Sequence, residues 1–347
     1  MINRNSGLDF LRIIAIVLVM VSHSNGLLGI KSFYNLYLGN LGVEIFFILS
    51  GFLITSKLRD LKQINLVNFY LSRALRIIPN FYLSIIVFWL ANLYGREGVN
   101  LFEEKQLANY FFFFQNIVIE DPLVLPTAWS LSVEVCFYLL IPVLMIYFKH
   151  SLRTFIYFFL VLFIIKSTVI FLKNINFYFF TSIITRIDSI FFGSLTSIVY
   201  QKFKDKLKDK RIIFFLSATL SFFLSIWCFK ALQINSKESW IWVVKIFYFL
   251  ILDFGIILLF PLFFSIKLSK IPANFFKFFA HISYGLYLYH ISVLIQVHHN
   301  LGNGIYAYKR FWFYSILIST VIYFIFEKPI FKLKTKYLTK NNIKYEN

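Results

Sequence analysis

Charge is scarce in this chain. Asp, Glu, Lys and Arg make up 15% of its 347 residues, and 16 residues are acidic. Soluble domains carry about a quarter charged residues, so a water-soluble globular protein is excluded. Cysteine is scarcer still. Cys136 and Cys228 lie inside apolar runs with no pairing pattern, which leaves no disulfide framework and says nothing of redox compartment. No Cys/His/Asp/Glu set has metal-ligand spacing. His298 and His299 are adjacent but unaccompanied, so no metal and no bound cofactor are expected. The first apolar run lacks a small-x-small cleavage site and is long enough to span, which argues against a removed leader. No internal repeat of the transporter kind is visible.

What is present is apolar. Hydrophobic residues reach 59% and aromatic ones 21%, with a mean hydropathy of +0.73. The expected fold is all-α: a polytopic membrane protein with about ten spans, near 8–30, 37–56, 77–95, 130–148, 154–172, 180–200, 212–232, 241–266, 276–296 and 310–330. A single transmembrane domain is expected over 1–330, followed by a short, basic, fraying tail over 331–347. The net charge of +19 raises nucleic acid as a partner, but the basic residues sit between apolar runs, where they set topology. With both termini in the cytoplasm, 23 of the 35 Lys and Arg fall inside and nine outside, which favours that orientation. The run 201–211 reads as a solvated cytoplasmic loop. The stretch 96–129 is the longest non-spanning one, and its Pro122 and Pro126 break any helix before Trp129.

Several polar residues do not belong in a bilayer without a reason. Arg12 and His23 are eleven residues apart, about three helical turns and roughly 16 Å, so they share one face of the first span, with Asp9 beside Arg12. Glu44 lies inside the second span, as a partner for a neighbouring cation or in a direct role. Ser50 and Gly51 follow it and suit close helix packing. Arg73 and Arg76 are neighbours on a helical turn; they can fork onto phosphate oxygens or simply flank a span. Trp129 suits the outer interface, Ser130 follows it, and Glu134 is then about one turn inside, with an imidazole as an obvious partner. Arg186 and Asp188 are two apart, so each needs a partner elsewhere. Asp253 is alone in its span. Tyr284, Tyr287 and His290 recur on one helical face, where a histidine is ordinarily a hydrogen-bonded core residue.

Together these residues resemble the membrane-bound acyltransferase family 3. LDFLRIIAIVLVMVSH is similar to its Arg-x10-His signature. GVEIFFILSGF, RALR, WSLSVE, Arg186 with Asp188 and Gly193, SYGLYLYH and EKP (327–329) match its further motifs in order. Phe10, where the family often has Gly, is a departure. The resemblance implies transfer of an acyl group, often acetyl from acetyl-CoA, to a hydroxyl of a cell-surface or lipid-linked carbohydrate. The chain looks like the stand-alone form without a fused hydrolase-like domain, in a bacterial cytoplasmic membrane.

The roles then expected are these. His23 is the catalytic base on the acceptor hydroxyl, and Glu134 the second catalytic group, orienting the ring. Arg12, Arg73 and Arg76 bind the acyl-CoA co-substrate. Asp9, Glu44, Ser50, Trp129, Ser130, Arg186, Asp188, Tyr287 and His290 support them. A transient acyl-His23 is an alternative path. A transporter or flippase using the same polar residues as a substrate or proton path is the alternative class.

Overall fold

The computed structural model describes residues 5–29, 35–59, 65–94, 109–114, 127–147, 151–173, 181–208, 210–234, 238, 240–266 and 269–342. Its helices are α1 (Ser6–Leu27), α2 (Asn35–Arg59), α3 (Leu66–Tyr94), α4 (Trp129–Tyr147), α5 (Leu152–Lys173), α6 (Ile183–Lys208), α7 (Arg211–Ile234), α8 (Ile241–Ser265), α9 (Lys270–Leu301), α10 (Ile305–Ile322) and α11 (Lys328–Asn342). A π turn, Tyr323–Glu327, joins the last two. The described residues contain no strand, and α1 to α9 are long and apolar enough to cross a membrane. The chain is a multi-pass, all-α membrane protein.

Boundaries differ from the expected spans where polar residues continue a helix. α3 begins at Leu66 rather than 77, so Arg73 and Arg76 are helical residues. α6 runs to Lys208, through most of the supposed loop 201–211. Beyond Pro329 the chain is helical to Asn342 instead of fraying. Hydropathy finds the part of a helix that sits in lipid and misses the part that emerges from it, where Lys, Leu and Gln remain good helix formers. Most of 96–129 lies outside the described residues. Within it, Tyr110 and Phe113 are buried, and Phe113 stacks on Phe81 with 4.9 Å between ring centroids.

α2 is the axis of the bundle and packs against α1, α4, α6 and α8. Two glycines set its crossing with α6. A Cβ on Gly51 would overlap the carbonyl oxygen of Ile190, and one on Gly193 would overlap that of Ile48. The two backbones touch because neither residue has a side chain, and such small-residue contacts drive association where lipid is as apolar as the core. α5 and α7 lie outside, with Leu160, Ile164, Phe215 and Phe223 exposed as a lipid-facing surface. The N-terminal end of α1 is closed by Asn5, whose side chain accepts from the amides of Gly7 and Leu8 at 2.8 and 3.2 Å.

Candidate active site

The bundle gathers the sequence-predicted residues into three places. The first is a cavity of about 80 Å³ between α1, α2, α3, α4 and α9, whose polar lining includes Arg12, Ser50, Arg76, Ser130, Glu134 and Tyr287. Its volume is that of several waters. It is too small to enclose a nucleotide. Arg12 also lies 3.7 Å from Asp9 across one helical turn. Among the described residues, Glu134 does not meet an imidazole. Its Oε1 accepts from Ser50 Oγ at 2.9 Å and from the Tyr138 hydroxyl. Tyr138 in turn lies under the Arg73 guanidinium, 5.6 Å from ring centre to charge. The carboxylate that was expected to orient His23 is thus turned toward α2 and the α3 arginines.

The second place is a histidine pair. His23 Nδ1 and His290 Nε2 are 2.9 Å apart, and His290 Nδ1 is 2.9 Å from the Leu286 carbonyl oxygen. A carbonyl can only accept, so His290 Nδ1 carries the proton. In the neutral pair, His290 Nε2 is then an acceptor, and His23 Nδ1–H must donate to it. His23 Nε2 is left with a free lone pair and no partner among the described residues. His290 is fully buried, while His23 is only half-buried. Tyr287 links the pair to the cavity: its ring centroid is 6.2 Å from that of His290, and its hydroxyl pairs with Ser130 Oγ at 2.7 Å. That hydroxyl also donates to the Thr127 carbonyl at 3.2 Å.

The third place is a buried charge cluster, which meets the cavity wall where the Arg186 guanidinium lies 5.7 Å from the Phe47 ring. Arg186 NH2 lies 2.5 Å from Glu44 Oε1, and Lys166 Nζ lies 2.8 Å from Asp188 Oδ2, all four side chains being at most 2% exposed. Arg186 sits 3.8 Å over the Phe249 ring and 4.9 Å from the Trp129 ring. Trp129, expected at the interface, is buried as part of this lid. Asp253 is no longer solitary, because it borders Glu44 and Ser189. Glu44 is paired with Arg186 and Asp188 with Lys166, which offsets part of the cost of burying these charges.

Several residues here escaped the sequence. Tyr138 is one apolar-span tyrosine among many. Lys166 was visible as a lone lysine inside a span. Asn80 donates to Glu327 Oε1 at 2.6 Å and accepts from the Tyr289 hydroxyl, which anchors the π turn to α3. Only the acidic residue of EKP hinted at it.

A family model described as an acyltransferase domain matches residues 5–326, which carry all three places. The chain belongs to acyltransferase family 3. Among curated family relatives, a Staphylococcus aureus (strain COL) protein provisionally named an O-acetyltransferase is 28% identical over 94% of this chain and 57% of its own length. The O-acetyltransferase OatA of Staphylococcus aureus (strain NCTC 8325 / PS 47) is 25% identical with the same coverage. The chain therefore spans a little over half the length of the curated relatives it matches. No solved structure matches it.

Proposed function

We propose that the protein transfers acetyl from cytoplasmic acetyl-CoA to a hydroxyl of a surface or lipid-linked carbohydrate in a bacterial cytoplasmic membrane. The observation that carries this reading is the free Nε2 of His23, held by the His290 relay on α1 and α9, which also line a cavity with Arg12 and Arg76; neither histidine lines that cavity, and Tyr287, which does, has its ring 6.2 Å from that of His290. The nucleotide of the donor stays at the cationic end, and its slender arm enters the cavity with the thioester leading. The acceptor hydroxyl oxygen attacks the thioester carbonyl carbon while His23 Nε2 takes its proton. The tetrahedral intermediate then expels the CoA sulfur, which leaves with the proton that His23 held. His290 positions His23 throughout and accepts a hydrogen bond from the imidazolium. In this scheme Glu134 shapes the donor passage by holding Ser50 and Tyr138.

Transport is the weaker reading. Of the residues it would need for a relay, Arg186 and Asp188 are tied into buried ion pairs, while His23 pairs with His290 and Glu134 with Ser50 and Tyr138. The test is acetyl-CoA consumption by purified protein with candidate sugars, combined with mass spectrometry of surface glycans. Transfer should be present in the native protein and absent from folded His23→Ala. A folded His23→Ala protein with full activity would refute the mechanism, and sugar flux without acyl transfer would refute the class.

A further inference from the structure

The cationic end of the site holds more than the arginine pair. Lys57 in the last turn of α2, Arg73 and Arg76 on α3, and Lys334 on α11 lie within electrostatic reach of one another. Three separate elements bring them there. The Lys334 ammonium reaches across to donate to the Ser72 carbonyl at 3.0 Å, which fixes it over the turn that precedes the arginines. The carboxylates bordering the group are Glu134 beside Arg73 and Glu327 beside Arg76, two negative charges against four positive. Buried Arg73 Nε has no hydrogen-bond partner among the described residues. Burial and the other three cations pull Lys334 down to about 8, so the folded protein holds these charges together against their repulsion. A ligand with matching negative charge removes that cost. The neighbouring cavity is too small for a nucleotide, which leaves any nucleotide end at this cluster.

We propose that Lys57 and Lys334 complete, with Arg73 and Arg76, a four-cation cradle for the phosphate groups of the thioester donor, so that α11 forms one wall of the donor site. The inference rests on the acyl-CoA reading and extends it to two lysines and a helix outside the arginine pair. Arg supplies the planar forks, and Lys supplies compact charges that follow phosphates of differing geometry.

The test is equilibrium binding of CoA and of 3′-dephospho-CoA to the full chain in nanodiscs of neutral phosphatidylcholine. Lys57→Gln and Lys334→Gln are compared with the native protein. Each substitution should weaken CoA binding about tenfold, as expected for losing one charge-assisted contact, and weaken dephospho-CoA binding less. The salt dependence of CoA binding should flatten in the double variant. Folded variants that bind CoA as tightly as the native protein would overturn the lysine assignment and leave the acyl-CoA reading standing. A native protein that binds no CoA would overturn both. The same phosphate chemistry could come from lipid headgroups. If the substitutions reduce retention of phosphatidylglycerol in mixed nanodiscs but leave CoA binding intact, the cradle serves lipid and the inference fails.

Discussion

Replacing His290 with phenylalanine should lower kcat and spare the KM for the acyl donor. The ring volume is kept, and the Leu286 carbonyl retains its place in the α9 ladder, so the fold should tolerate the change. What is lost is the acceptor 2.9 Å from His23 Nδ1. In the ground state that contact joins two neutral rings and is worth about 0.5–1.5 kcal/mol. Once His23 has taken the hydroxyl proton, the same contact serves an imidazolium and is worth about 1.5–3 kcal/mol. Only the gain between the two states, about 1–1.5 kcal/mol, acts on the chemical step, so its loss appears in kcat, by about 5- to 13-fold. His290→Gln can return an amide oxygen to Nδ1–H and should recover part of this. His23→Ala should cost far more, because it removes the base itself. Steady-state acetyl transfer with purified variants measures the split. Unchanged kcat in a folded His290→Phe protein would show that the relay does not set the His23 tautomer. A raised donor KM with native kcat would place His290 in donor binding instead.

Arg186→Met leaves Glu44 without its partner in a site that excludes water, and should cost about 3–5 kcal/mol of stability. Adding Glu44→Gln should recover most of it, as read by thermal unfolding in detergent; a single variant as stable as the native protein would refute the pairing. The cation cradle predicts a pH effect. Lys334, partly buried and then crowded by Arg73, Arg76 and Lys57, is pulled down to about 8 in the free protein, below its ordinary 10.5. Above about pH 8 the cradle loses a charge, so the donor KM should rise, by at most tenfold per pH unit for one proton. In the unliganded protein the sign is opposite for stability. Between about 8 and 10.5 the unfolded chain binds the proton that the folded one has released, so stability rises with pH in that window. Lys334→Met should remove both slopes.

Much of the site was legible in the sequence as a set and little of it as pairs. A charge inside an apolar run announces that a partner exists, which is why Glu44, Arg186 and Asp188 were singled out. The partner's identity depends on which way each helix is turned, and periodicity within one helix does not relate it to another. Glu134 and His23 were paired because the sequence puts Glu134 about one turn inside the bilayer and His23 in the outer half of its helix. Depth alone did not decide it, since Glu134 points at Ser50 and Tyr138. His290 was discounted as a core residue, and it is one; its second nitrogen nevertheless meets His23. The helix extensions at Leu66 and beyond Pro329 were missed for one reason: they lie where the chain leaves lipid, and there hydropathy falls while helix propensity does not.

The narrow cavity has a consequence for the cell's energy supply. An enzyme that works across a membrane risks opening a leak through which protons bypass the machinery that makes ATP. Here the cavity has room for only a few waters, and the Tyr287 hydroxyl closes one wall by bonding to both Ser130 and Thr127. When a donor arm fills it, those waters are displaced. On the proposed reading, a two-carbon unit would then leave the cell while the ion gradient stays intact and the spent carrier returns to the cytoplasm for recharging.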